Sequence, residues 1–330
     1  MVLIWGLAAQ NVSALISVDT VYVGDIGNPS DWTGRGAVDY GYSIGKYEVT
    51  VSQYAAFLNA VAKTDTYGLY NSIMGFDGDI SRSGVSGSYG YTVVGDPNKP
   101  INYVSWFDAA RFVNWLGNGQ PTGLQGSGTT ETGAYTLNGA TSGVNFTKNA
   151  GAQYWIPSDA EWYKAAYYQP TDKGGDSDSY WLYPTRSNNQ PNSRDGSVTD
   201  PNSANFYYND GIANGYNGGY AVNDSTTSPY PDGRTDVGAF SLASSYYGTF
   251  DQGGNLDEWD DFTSGGGRAT VGGDWGELAG AMQAGSYYNV GDPAGEFGNV
   301  GFRIATIPEP AGLGVCGLIV TGCFLLRWRR

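Results

Sequence analysis

The sequence predicts a single α+β domain with few, short helices and strands and long irregular loops. Three observations carry this. Glycine supplies 51 of the 330 residues and tyrosine 26, so the chain is rich in loop and in rings against which loops can pack. Three short segments carry full helix-start signals. Charged residues make up only 15% of the chain, and there is no heptad run or fixed-period repeat, which removes coiled-coil and solenoid architectures.

Taken in order, residues 2–9 (VLIWGLAA) read as the apolar region of a signal peptide over residues 1–17, with Val12-Ser13-Ala14 offering small residues for cleavage. The basic leader is missing, since Arg35 is the first Lys or Arg; a buried first strand is the alternative reading. Val21-Tyr22-Val23, Tyr42-Ser43-Ile44 and Ala134-Tyr135-Thr136-Leu137 predict strands. A helix is predicted after Thr50, with Gln53 placed to complete a capping box and Tyr54, Phe57, Leu58 and Val61 at helical spacing. Ser105 with Asp108 and Ser158 with Glu161 repeat the signal ahead of two further aromatic-rich helices. The stretches 117–133 and 170–235 are Gly-, Asn-, Ser- and Asp-rich and predict elaborated loops.

Composition excludes several functions. Net charge is −15, which argues against a nucleic-acid partner and is compatible with divalent cations. The chain has no histidine, and its cysteines are Cys316 and Cys323 alone. The part before residue 307 therefore has no disulfide, thiolate nucleophile or imidazole base, and no ligands of the usual zinc, copper or iron kind. A loop-rich domain without disulfides makes bound cations a plausible staple.

The last residues read as an address. Pro308-Glu309-Pro310 precedes a sixteen-residue apolar run at 311–326, and the chain then closes Arg327-Trp328-Arg329-Arg330. The run is a little shorter than the roughly 20 residues of a full span. Arginines flanking a span stay on the cytoplasmic side. Residues 307–330 resemble a PEP-CTERM sorting tail. That resemblance implies a bacterial exported protein, held in the membrane by the tail until an exosortase-type enzyme processes it, then released to the cell surface or matrix.

Between the two ends, residues 18–306 read as one domain, and seven blocks stand in an ordered series. They are Gly45-Lys46-Tyr47-Glu48-Val49-Thr50; Pro100-Ile101-Asn102-Tyr103-Val104-Ser105-Trp106; Ile156-Pro157-Ser158 with Glu161-Trp162-Tyr163; Ser203-Ala204-Asn205-Phe206; Asp251-Gln252-Gly253-Gly254-Asn255-Leu256-Asp257-Glu258-Trp259; Gly272-Gly273-Asp274-Trp275; and Gly301-Phe302-Arg303. The series resembles the formylglycine-generating, or sulfatase-modifying factor, enzymes. The resemblance implies a C-type-lectin-like α+β fold with bound calcium. It places one calcium on the side chains of Asp251 and Glu258 with the carbonyls of Gly254 and Leu256. It places a second on Asn205 and the Phe206 carbonyl, with an acidic partner within 224–236. Mixed carboxylate and carbonyl oxygens suit calcium. Ordinary solvated acids at a turn are the plain alternative.

Catalytic members of that family hold copper on two cysteines after the "G-G-S-W" step. Counted from Gly272-Gly273, those positions are Glu277 and Met282, while the family's serine and tryptophan fall on Asp274 and Asp257. A soft copper(I) site needs thiolates, so neither copper nor iron is expected, and no catalytic residue is assigned. The reading that follows is a non-catalytic surface module that binds a glycan, a matrix component or a protein. Its pocket would be formed by Asp257, Asp274, Trp275 and Glu277. Tyr207-Tyr208, Tyr246-Tyr247 and Tyr287-Tyr288 could stack on sugars, although packing is the plainer role for such pairs. The alternatives are a formylglycine-generating oxidoreductase acting on a sulfatase cysteine, and an acid/base enzyme using Asp257, Glu258, Asp274 and Glu277.

Overall fold

A computed structural model of the protein describes residues 15–194, 200–286 and 289–308. The expected signal region falls mostly on residues 1–14, and the tail from Glu309 onward, with Arg327, Arg329 and Arg330, also lies outside the described residues. Among the described residues no helix is long and apolar enough to cross a membrane.

The three helices with start signals form where the signals place them. Helix α1 covers Val51–Val61, and Thr50 and Gln53 exchange both bonds of the capping box. A four-residue turn of helix, α2, covers Ile73–Phe76. Helices α3 (Trp106–Gly117) and α4 (Asp159–Tyr167) begin with the Ser105/Asp108 and Ser158/Glu161 boxes. Helices α1 and α3 meet through rings: Phe57 lies 5.4 Å from Phe112 and 5.2 Å from Trp115, and Phe112 lies 5.4 Å from Phe302. The three phenylalanines are completely buried, so the stripes at helical spacing form the core.

Two four-stranded sheets complete the frame. In the first, Thr20–Val23, Tyr42–Gly45, Ala305–Thr306 and Tyr154–Trp155 lie side by side, all antiparallel, so the last described strand closes beside the first ones. In the second, the order is Asn289–Gly291, Gly267–Val271, Asp257–Ser264 and Val300–Gly301, the last pairing being parallel. Through 170–235 the described chain has only a 3-10 turn and strands of two or three residues, as the composition there predicts.

One predicted strand does not form. Residues 134 and 135 form a bend, and 136 and 137 have no regular structure. Their main chain is satisfied elsewhere. The Asn114 amide accepts from Tyr135 N at 2.9 Å and donates to Tyr135 O at 2.8 Å, while Leu137 N donates to Glu131 O at 2.8 Å. The side chains of Tyr135 and Leu137 still enter the core, so the apolar pattern reports burial rather than strand.

Candidate functional site

The site grows from the start of the long strand Asp257–Ser264. Successive strand side chains point to opposite faces, and here that separates two neighbouring acids. Asp257 faces a cavity, whereas Glu258 points into the protein.

Asp257 is fixed at both oxygens: Oδ1 accepts from Gly273 N and Oδ2 from Asn289 Nδ2, each at 2.9 Å. Asp274 accepts from Gly276 N and from Asn299 Nδ2, each at 2.6 Å. Glu277 has a buried Oε2 with no hydrogen-bond partner. One oxygen from each of Asp257, Asp274 and Glu277 lies within 4.8 Å of the others. Burial pushes Asp257 up to about 7, and the nearby charges of Glu277 and Asp274 push the same way. Burial and then Asp274 also raise Glu277. Gly272 and Gly273 have left-handed φ of +103° and +72°, and a Cβ on Gly273 would stand 2.8 Å from that of Ala281, so the cavity wall needs glycine there.

The cavity measures about 510 Å³, within the range of small-ligand sites. Asp257, Thr270, Glu277, Gln283 and Asn289 contribute polar groups, and among the described residues no Lys or Arg lines it. Trp32, 78% exposed, stands at its edge with its ring against Gly285. Trp32 carries no sequence signal of this role, because its partner is distant in the chain.

The structure brings oxygens of Asp257, Asp274 and Glu277 close together; of the four residues expected at the pocket, Asp257 and Glu277 line the cavity, and Asp274 and Trp275 do not. Trp275 N is tied to Asn255 O, and the ring lies against Gly233 and 5.7 Å from Tyr220. The tyrosine pairs within the described residues are packing elements. Tyr207 packs on Tyr220 at 4.8 Å, Tyr208 stacks on Phe206 at 6.4 Å, and the Tyr247 hydroxyl donates to Asp25 at 2.8 Å. Tyr287 and Tyr288 lie outside the described residues.

The copper implied by the resemblance does not fit these residues. Glu277 offers hard carboxylate oxygens, and Met282 is 1% exposed, with its sulfur packed on Gly254. Neither is a thiolate, so no step of copper chemistry can be derived.

The calcium positions divide. At the first, Glu258 is committed elsewhere. Both its oxygens are 2.5 Å from the Arg303 guanidinium, and Oε2 also accepts from Trp162 Nε1 at 2.8 Å. Its charge is neutralised inside the protein by arginine. Asp251 accepts from Gly238 N at 2.6 Å, and burial pushes it up to about 6. Asn255 N donates to Asn205 O, and Gly254, between these residues, takes a left-handed φ of +82°. Leu256 is a core side chain. At the second position, the Phe206 carbonyl accepts from Ser193 Oγ at 2.6 Å. Asn205 gives both amide hydrogens away, to Gly233 O at 2.8 Å and to Asn255 Oδ1 at 3.0 Å. Its Oδ1 is buried with no donor, as a cation ligand would be.

A comparison with curated proteins gives no match. Among solved structures, the one titled "Crystal Structure of CarF" aligns with 89% of this chain and 99% of its own at 19% identity, TM-score 0.49. Treponema denticola variable protein 1 aligns over 88% and 95% at 16% identity, TM-score 0.45. PvdO from Pseudomonas aeruginosa aligns over 88% and 92% at 15% identity, TM-score 0.39. The Sulfatase-modifying factor enzyme 1-like domain (FGE-sulfatase) matches residues 35–307, most of the chain and all of the ordered blocks from Lys46 to Arg303. The chain belongs to the sulfatase-modifying factor enzyme 1-like family.

Proposed function

We propose that this family member is a calcium-stabilised binding module without catalytic activity, displayed at a bacterial surface. The observation that carries the reading is the cavity itself. Where catalytic relatives need two thiolates, this chain has Glu277 and a packed Met282, and the space beside them is lined with acids and amides under an exposed indole. Planar polar side chains around an aromatic plate suit a glycan, whose hydroxyls need acceptors and whose C–H faces need an apolar surface. The lectin-like architecture implied by the family resemblance agrees with that use. The Pro308-Glu309-Pro310 motif, apolar run and terminal arginines support export and processing by an exosortase-type enzyme.

A glycan and protein binding screen, run with calcium and with chelator, tests the reading. Binding is expected to weaken at least tenfold in Trp32→Ala and in Glu277→Ala. Ligands bound equally well by wild type and both variants would place recognition elsewhere. Calcium at a hundredfold its dissociation constant adds about 2.7 kcal/mol to stability, so melting temperature should rise with calcium and fall with chelator. Asp251→Ala and Asn205→Ala should each reduce that rise. Fractionation of cells carrying the intact gene should find the protein in the envelope or outside; recovery wholly from cytosol would contradict export.

A further inference from the structure

The cavity beside Asp257 carries a charge that no cation answers among the described residues. Asp257, Asp274 and Glu277 each bring one oxygen within 4.8 Å of the others. The donors that hold the first two are neutral: Gly273 N and Asn289 Nδ2 for Asp257, Gly276 N and Asn299 Nδ2 for Asp274. Among the described residues none of the three forms an ion pair, and no Lys or Arg lines the cavity. Glu277 Oε2 is buried and accepts from nothing. It lies 3.3 Å from where a Cβ on Gly273 would stand, so the bare glycine leaves this oxygen its place, next to the N–H that binds Asp257. Like charges buried without a counter-charge are costly. A positive group entering the cavity relieves that cost.

A second feature is independent of the acids. Trp32 is 78% exposed, yet the turn that carries it is tied down. Asp31 is buried; it accepts from Thr33 N at 2.7 Å and from the Tyr163 hydroxyl, and its own N–H donates to Arg35 O at 3.0 Å. Gly285, with φ of +83°, gives the indole its seat, since a Cβ there would stand 2.7 Å from Trp32 Cζ2. An indole held in place and left in water offers its face to a ligand, and that face attracts cations. Trp32 and Gly285 line the same cavity as Asp257 and Glu277. Size then separates an ion from an organic cation. Liquid water takes about 30 Å³ per molecule, and the cavity of about 510 Å³ has room for far more than an ion with its water shell. A bare ion would also leave the indole without a role.

We propose that the cavity binds a sugar carrying a free amino group, with its ammonium beside Glu277 and Asp257 and a C–H face of its ring against Trp32. The inference rests on the glycan reading above and narrows it to cationic glycans. The carboxylates supply the charge that selects the amine, and the indole supplies the apolar plate that selects a ring.

The test titrates the full chain by calorimetry, in chelator and near neutral pH, with three tetrasaccharides: one of glucosamine, its N-acetylated counterpart and one of glucose. Acetylation removes the charge and keeps the ring. Wild type is expected to prefer the glucosamine form by about tenfold or more, the worth of one hydrogen bond to a charged group. Glu277→Gln should lose that preference, and one that survives the substitution overturns the proposal. Equal affinity for the three sugars in wild type overturns it too and leaves the broader glycan reading standing. Binding of none of them also overturns it, and the wider screen then decides the broader reading. Binding seen only when calcium replaces the chelator makes the cation a metal, and tighter binding of a lysine peptide makes the ligand a protein; either result overturns the proposal. Should Glu277→Gln fail to fold, carbodiimide coupling of glucosamine to the wild-type protein, followed by peptide mapping, decides the matter. An amide at Glu277 or Asp257 supports the site, and amides only elsewhere overturn it.

Discussion

Replacing Arg303 by methionine should be one of the most damaging single changes in this protein. Arg303 and Glu258 are both fully buried, and the guanidinium makes two 2.5 Å bonds to the carboxylate. It also satisfies two main-chain carbonyls, Gly45 O and Phe250 O, each at 3.0 Å. Removing one member of a buried pair strands the other and costs about 3–5 kcal/mol. A domain of this size loses roughly 2–4 °C of melting temperature per kcal/mol, which places the expected drop near 10–15 °C. Pairing Arg303→Met with Glu258→Gln should recover part of that loss, because the stranded charge goes too. The assay is urea or thermal unfolding in chelator, followed by tryptophan fluorescence, on the four members of the double-mutant cycle. A cost below about 1 kcal/mol for Arg303→Met, the level of a solvated pair, would refute the description of this group as a buried ionic centre.

Other outcomes follow from the same physical reasoning. Ser158→Ala should cost about 1 kcal/mol through the lost cap of α4. Glu161→Ala should cost more, because its carboxylate also accepts from Trp155 Nε1 and the Tyr40 hydroxyl; equal melting of the two variants would contradict this. Burial pushes Asp108 up to about 7 and Asp261 up to about 6, and raises Asp260 as well. An acid whose folded pKa is raised contributes stability that is fully present below its unfolded pKa and is lost as pH rises through the folded one. Melting temperature in chelator should therefore rise as pH falls from about 8 to about 5; a flat or falling profile would count against the burial of these carboxylates.

How much of this was legible in the sequence depends on the range of each interaction. The helix caps were legible because Thr50 and Gln53, like Ser105 and Asp108, act within one turn. The acids Asp257, Asp274 and Glu277 could be singled out because ordered blocks place them at the family's altered positions, and in the fold their oxygens lie close together. Trp32 was not, since Gly285, on which it rests, stands far along the chain. The misread strand at 134–137 has the right burial pattern, but propensity does not register that Asn114 takes over its main-chain bonds. The commitment of Glu258 to Arg303 was hidden in a similar way: both residues stand in recognised blocks, yet nothing local pairs them across the fold. The alternation of strand side chains offered one usable hint, since adjacent Asp257 and Glu258 could not serve the same face.

The central claim, that this family member binds rather than oxidises, is tested most directly by a peptide mass measurement. The purified protein is incubated with copper, oxygen and a sulfatase-type cysteine peptide. Two thiolates are needed to hold copper(I), and the counted positions carry Glu277 and Met282, with no histidine anywhere and the two cysteines, Cys316 and Cys323, both in the tail. The account predicts an unchanged peptide mass. Loss of the thiol with appearance of an aldehyde, dependent on this protein, would contradict it.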